Sequence, residues 1–177
     1  MKRLILTRHA KSSWDDPLMS DHDRPLNERG KAAAADLGQW LASRGYVPSE
    51  VLCSDAVRTR ATFSGIAPAL PGAPVLDLKP ALYHAGPDVM LAVLRHATAD
   101  TVMMIGHNPG IAEFAEGEWR KGGYDRLTLV AAGTLLRDVR RELPDRLCDR
   151  IAAVLDRDLI DVPLRDIAGQ LKAIHAI

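Results

Sequence analysis

Two short apolar runs lying far apart in the chain each end in a histidine. Leu4-Ile5-Leu6-Thr7 leads into Arg8-His9, and Thr101-Val102-Met103-Met104-Ile105 leads into Gly106-His107-Asn108. A brief, nearly continuous apolar run suits a strand covered on both faces, as in a parallel sheet, better than a half-solvated strand, which would alternate. Ligands of open parallel sheets bind in the crevice beyond the carboxyl ends of the strands. If these two strands are neighbours, that crevice brings His9 and His107 together beside Arg8.

The intervening sequence alternates as such a sheet requires. Ser12 to Asp23 is rich in Asp, Ser and Pro and reads as a loop, placed where loops often carry function. Asn27-Glu28-Arg29-Gly30 then leads into a helix over Ala32 to Leu41, with Ala33, Leu37, Trp40 and Leu41 on one stripe and Gly45 as its stop. Val51-Leu52-Cys53 reads as a strand. Ser54-Asp55 stands where an N-cap belongs, ahead of a helix over Ala56 to Ile66 that carries Arg58 in its first turn. Val75 to Leu78 reads as another strand, and Met90, Leu91, Val93 and Leu94 mark a further helix. This order predicts an α/β three-layer sandwich, a mostly parallel central sheet with helices on both faces. In the last third, Leu127 to Ala131 suits a strand. Leu147, Ile151, Val154 and Leu155 fall at helical spacing behind Pro144, and Leu164, Ile167, Leu171 and Ile174 repeat the pattern behind Pro163, so two helices are expected there.

The bulk numbers narrow the choice of partner. At 177 residues a single domain spanning 1–177 is expected. Lys plus Arg and Asp plus Glu both number 23, so no overall field draws the chain to nucleic acid or to a membrane, and anion binding must be local. Cys53 and Cys148 are too few for a disulfide framework or a zinc site and read as buried thiols. The apolar run at the N-terminus is too short for a secretory leader, and no stretch is long enough to span a bilayer, so a cytoplasmic location is expected.

Transfer of a phosphoryl group spreads negative charge over its equatorial oxygens, and catalysis then rests on positioned cations and donors. Arg8 and Arg58 offer forked contacts to phosphate, His107 would add charge if protonated, and Asn108 offers an amide donor. His9, as neutral imidazole, can attack phosphorus. Ser12 is a further phosphate contact to test, although a loop serine is usually a turn residue. His22, His84, His96 and His175 read as structural, and Arg24, Arg29 and Arg60 as solvated or ion-paired, with Arg24 and Arg60 able to rim the site. Asp15, Asp16, Asp21 and Asp23 cluster, but carboxylates in a polar loop are usually solvated, so neither a metal nor another cofactor is expected. Gly30-Lys31 lacks the remaining residues of a nucleotide P-loop.

Four ordered blocks carry a family resemblance: Leu6 to Trp14, Asp21 to Gly30, Cys53 to Thr62, and Gly106 to Gly110. Together they resemble the histidine phosphatase superfamily, in particular its SixA-type phosphohistidine phosphatase branch, with a phosphoglycerate-mutase-like fold. The resemblance implies that His9 is the phosphorylated nucleophile, that Arg8 and Arg58 hold the phosphate and that His107 completes the pocket, with Asn108, Ser12 and Arg24 as substrate contacts. Larger relatives supply a proton-donating glutamate from the region after the third strand. Here that region reads Leu82-Tyr83-His84-Ala85-Gly86-Pro87-Asp88, leaving Asp21 or His84 as candidate acids. An imidazole leaving group depends less on a strong acid than an alkoxide does. The expected activity is therefore hydrolysis of phosphohistidine on a partner protein through a covalent intermediate on His9. The alternatives are a small-molecule phosphomonoesterase using the same site and a catalytically impaired phosphate-binding module. The resemblance covers about residues 1–115. Beyond Ala115 the expected Pro-Thr-Gly-like turn and final pair of strands give way to Gly117 to Gly123 and mostly helical stripes, so an edge strand is expected to be missing.

Overall fold

Along the two histidine-bearing strands the side chains divide strictly between two cores. Leu4 and Leu6 of the first, with Val102 and Met104 of the second, join one buried cluster; Ile5, Met103 and Ile105 join the other. This alternation is what a sheet covered on both faces requires. The computed structural model describes residues 3–120, 127–131 and 151–156. Its elements are β1 (Arg3–Arg8), α1 (Glu28–Ser43), β2 (Glu50–Cys53), α2 (Val57–Ile66), β3 (Val75–Leu78), α3 (Pro87–Leu94), β4 (Thr101–Gly106), α4 (Gly110–Arg120), β5 (Leu127–Ala131) and β6 (Ile151–Asp156). The strands lie in the order β3-β2-β4-β1-β5-β6, and every pairing between them is parallel.

The helices supply the outer layers. Leu37, Trp40 and Leu41 of α1 and Phe63 and Ile66 of α2 cover the Ile5, Met103 and Ile105 face. Met90 and Leu94 of α3 and Ile111 and Phe114 of α4 cover the other. The fold class read from the sequence is thus the observed one, an α/β three-layer sandwich. Among the described helices, none is long and apolar enough to cross a membrane. Cys53 is a free, fully buried thiol, and burial pushes its pKa up to about 12. Cys148 lies outside the described residues.

Three expectations need correction. Ile151–Asp156, expected within a helix, forms strand β6 alongside β5. Its sequence, Ile-Ala-Ala-Val-Leu-Asp, is a short apolar run of the kind whose periodicity cannot separate a buried strand from a helix. The sheet therefore continues past β1 by two strands where an edge strand was expected to be missing. The second expected helix, over 164–174, lies outside the described residues, as does His175. Finally, the cap of α2 is Ala56, with no side-chain capping bond, because Asp55 is turned toward His22 instead.

Register delivers the two histidines to one place. Arg8 pairs with Gly106, and the His9 amide donates to the Gly106 carbonyl at 3.1 Å, so His9 and His107 leave adjacent strands at the same level. The loop that follows is closed at its base. Ser12 bridges Leu26, the Ser13 amide donates to Pro25 O, and the Asn27 amide donates to Lys11 O. Asn27 also caps α1, accepting from the Gly30 amide at 2.8 Å. Gly30 is required here, since a β-carbon would stand 2.1 Å from the Lys11 carbonyl oxygen. The far part of the loop is tied to α2, the Val57 amide donating to His22 O and the His22 ring meeting Asp55 at 3.1 Å.

Candidate active site

Arg58 organises the crevice. It leaves the first turn of α2 with its side chain about 1% exposed, and its guanidinium touches three groups. Nε donates to His9 Nε2 at 3.2 Å, Nη2 donates to His107 Nδ1 at 3.2 Å and to Asp21 Oδ2 at 2.8 Å, and Nη1 donates to the Asp21 carbonyl. The rings of His9 and His107 are 5.2 Å apart.

These bonds fix both tautomers. The His9 Nδ1–H donates to Ala10 O at 2.8 Å, so Nε2 carries the lone pair and faces Arg58. Burial lowers the pKa of His9 to about 4, against the Ala10 bond that raises it and with help from the nearby Arg58, Arg8 and Arg24 charges. His9 is therefore a neutral imidazole at pH 7 with its reactive nitrogen turned into the pocket. The Ala10 amide donates to Thr62 Oγ1 at 2.9 Å, which anchors this turn to α2. His107 accepts at Nδ1 from Arg58 and so donates Nε2–H to Ser54 Oγ, 2.9 Å away. Burial, then Arg58, lowers its pKa to about 3. His107 is consequently neutral, and the charge that its protonation would have added is absent.

A second set of residues comes from loops. Asp21 accepts from Arg24 Nε at 3.0 Å and Nη2 at 2.5 Å, from Tyr83 OH at 2.7 Å and from His84 Nε2 at 3.1 Å, in addition to Arg58. The Tyr83 bond first, then those from His84, Arg24 and Arg58, hold its carboxyl well below the usual carboxylate range despite the desolvation that opposes them. Asp21 therefore has no proton to give. Arg24 is buried, its guanidinium 3.5 Å from the centroid of the Trp14 ring, and its Nη1 has no partner among the described residues. That unspent buried donor suits an incoming oxyanion. His84 stacks on His107 at 5.0 Å and adopts φ 50, an uncommon conformation outside glycine. Its segment is wedged against α4: a β-carbon on Gly110 would lie 1.9 Å from the Ala85 carbonyl oxygen.

Of the residues singled out from sequence, His9, Arg58, His107, Asp21, Arg24 and His84 meet in this network. Arg8 stands at its edge, with no hydrogen bond or ion pair to a described residue, and burial together with Arg58 lowers its pKa. Asn108 follows His107 with its Oδ1 buried and unpartnered among the described residues. Ser12 is buried in the bridge that closes the loop, which is a structural placement. His22 is likewise structural, while Arg60 and His96 are exposed. The acidic cluster is dispersed: Asp15 accepts from Ser13, Asp16 from the Leu18 amide, Asp23 from Ser20, and Asp21 alone faces the pocket. Sequence reasoning missed Ser54, Tyr83 and Thr62. The first and third sit in the block around Arg58, which was their only available signal.

The family model of the histidine phosphatase superfamily (branch 1) matches residues 4–82. A crystal structure described as a candidate phosphohistidine phosphatase SixA from Agrobacterium tumefaciens is 34% identical, with a TM-score of 0.61, over 65% of this chain and 75% of that one. The chain belongs to the histidine phosphatase superfamily. A similarly described SixA from Nakamurella multipartitia is 36% identical, with a TM-score of 0.55, over 64% of this chain and 63% of that one. An uncharacterized chloroplastic protein of Arabidopsis thaliana is 41% identical over 125 residues, which is 64% of this chain but 57% of that relative's length. The matched segment 4–82 holds His9, Asp21, Arg24 and Arg58 of the crevice, and the fold is the phosphoglycerate-mutase-like one. Residues 109–171 match a second model, that of bacterial archaeo-eukaryotic release factor family 12. The region where the sequence leaves the SixA pattern therefore resembles a different family.

Proposed function

We propose that this chain is a phosphohistidine phosphatase that transfers the phosphoryl group of a protein phosphohistidine to His9 and then to water, without a metal. The observation that carries this reading is the neutral His9, whose Nε2 lone pair faces a buried guanidinium fork. A phosphoryl group seated on Arg58, Arg8 and the free Nη1 of Arg24 would present phosphorus to that lone pair, and the fork would neutralise the charge that develops on the equatorial oxygens. The new N–P bond makes His9 a phosphoimidazolium, its Nδ1–H still held by Ala10 O. Attack of water on phosphorus returns His9 to the neutral form. His107 and Asn108 would line the remaining wall.

Two features support a protein phosphohistidine over a small ester. Ionised Asp21 cannot protonate an alkoxide, which an alkyl phosphate would require. The loop carrying Asp21 and Arg24 also exposes Trp14 and Leu18, the latter 94% accessible, which suits contact with a macromolecule. The free thiol of Cys53 suits a reducing compartment such as the cytoplasm.

The test compares turnover of a phosphohistidine peptide with that of aryl and alkyl phosphates, and quenches the reaction to trap an acid-labile phosphoenzyme. The expected result is preference for the peptide, with label on His9. Alkyl-ester hydrolysis without peptide turnover would replace this reading with a phosphomonoesterase. Phosphate binding without any turnover would replace it with a binding module.

A further inference from the structure

The chemistry of phosphoryl transfer between two imidazoles is symmetric, and the structure provides visibly for one of them. His9 attacks through Nε2 while Ala10 O holds its far nitrogen, Nδ1–H. A phosphorylated histidine arriving from a partner has the mirror-image need. Its ring leaves as neutral imidazole only if the nitrogen remote from phosphorus carries a proton; without it the leaving group is an imidazolide anion. A fixed acceptor at that remote nitrogen favours the protonated ring.

Arg58 shows where such an acceptor stands. One end of its guanidinium, Nε, meets His9; at the other, Nη2 meets the Asp21 carboxylate beside His107 Nδ1, and Nη1 meets the Asp21 backbone carbonyl. The carboxylate and the nucleophile are thus held at opposite ends of the fork that would grip the phosphoryl group. Asp21 is on the loop between β1 and α1, and its side chain is 42% exposed, against 1% for Arg58. The Asp21 carboxylate occupies Arg24, Arg58, Tyr83 and His84, acting as an internal anion on donors that suit a phosphate. When the phosphoryl oxygens take the arginines, the carboxylate keeps Tyr83 and His84 on Oδ2, and Oδ1, which Arg24 held, becomes available.

Resting on the function proposed above, we propose that Asp21 accepts the remote ring N–H of the incoming phosphohistidine and thereby sets a preference for phosphoimidazole over phosphate esters. The step balances. The His9 Nε2 lone pair forms the new N–P bond, and the old P–N bond breaks with its electron pair kept by the substrate nitrogen. The substrate ring departs neutral, still bearing the N–H held by Asp21, and the positive charge it carried now resides on phosphorylated His9. An alkyl ester offers no N–H to this carboxylate and finds no proton on it.

The measurement is kcat/KM for a phosphohistidine peptide and for p-nitrophenyl phosphate, in the wild type and in the Asp21→Asn and Asp21→Ala variants. The ratio of the first to the second is expected to fall about tenfold or more in both variants, the scale of a charge-assisted hydrogen bond. Measurable aryl phosphate turnover in a variant demonstrates that its site is assembled. A proportional fall on both substrates would make Asp21 a brace for the arginines and overturn the proposal. So would an unchanged ratio, with the phosphohistidine reading left standing. A wild type that hydrolyses aryl phosphate but ignores the peptide would overturn that reading and this proposal with it.

Discussion

The crevice has two halves, built by different means. The inner half, His9, His107 and Arg58, stands at the ends of adjacent strands and on the first turn of a packed helix, with the backbone fixed by ladder bonds and by Thr62. The outer half, Asp21, Arg24, Tyr83 and His84, comes from two loops that hold each other through one carboxylate. Positions that must be right to a fraction of an ångström sit where the sheet cannot move, whereas positions that meet a variable partner sit on loops. On the proposed function, bond-making falls to the inner half and selection to the outer half, and variants of each should fail differently.

The largest loss is expected from the inner half. His9→Ala removes the nucleophile, so kcat should fall by about a thousandfold or more and no acid-labile phosphoenzyme should be trapped. Retention of both would dissolve the distinction between the halves. Arg58→Lys keeps the charge but cannot span His9, His107 and Asp21 at once, and should cost about a hundredfold in kcat/KM on peptide and aryl phosphate alike. Asp21 variants, by contrast, should divide the two substrates. Equal damage from Arg58→Lys and Asp21→Asn on every substrate would mean that the halves act as one unit.

This division also explains what could be read from sequence. The strand-borne residues were legible because a short apolar run ending in Arg-His or Gly-His states both the element and the place where its last side chains emerge. Arg58 was legible because helix phase fixes it in a first turn. The outer half was legible only in part: Arg24 stood among the substrate contacts and Asp21 or His84 among the candidate acids, but neither Tyr83 nor the carboxylate's part in holding the two loops together was foreseen. Asp21 also looked like one member of a solvated acidic cluster, and the ties that fold its loop over the crevice, Ser12–Leu26 at the base and Val57 to the His22 carbonyl at the far part, are backbone bonds that no side-chain pattern announces. His84 read as structural because its contact with His107 follows from a left-handed backbone and from the close approach of Gly110 to Ala85. The strand Ile151–Asp156 was hidden by a different ambiguity, a short run compatible with either period.

The Gly110 contact gives a sharper probe of how the outer half is held. Gly110→Ala places a β-carbon against the Ala85 carbonyl, and overpacking of this kind should destabilise the protein by about 1–3 kcal/mol. Because Ala85 adjoins His84, the substitution should also shift the peptide-to-aryl ratio more than it shifts aryl turnover itself. A melting-temperature loss without any change in ratio would show that His84 placement has no part in selection.

Buried neutral histidines make a smaller, pH-dependent contribution. His9 and His107 have folded pKa values of about 4 and about 3, below the ordinary value of 6.5, so between these limits the unfolded chain binds more protons than the folded one. Stability from both is complete above pH 6.5 and declines as pH falls toward 4, by at most about 1.4 kcal/mol per pH unit for each. His22 has the opposite sign, since Asp55 raises its pKa and its contribution is lost as pH rises. Thermal melts at pH 6.5, 5.5 and 4.5 should therefore show a decline that His107→Asn makes shallower. An unchanged slope in that variant would mean that His107 is not the neutral, buried partner of Arg58.

The smallest effect is expected at Ser54, which is fully buried and meets the inner half through His107. Its hydroxyl accepts from His107 Nε2–H and thereby leaves Nδ1 as the acceptor for Arg58. Ser54→Ala removes the buried His107 bond, a loss of about 1 kcal/mol, together with the long 3.5 Å bond from the Ala56 amide, and frees the ring to take the other tautomer, in which Nδ1–H would oppose the guanidinium. The expected result is a fall in kcat of about fivefold on every substrate, the equivalent of that energy, with the peptide-to-aryl ratio unchanged. Such uniformity belongs to an inner-half residue and separates Ser54, three bonds from His9 along the network, from Asp21, which is two bonds away. If Ser54→Ala instead altered the ratio while sparing aryl turnover, selection would reach through His107, and His107 would belong to the outer half as well as the inner.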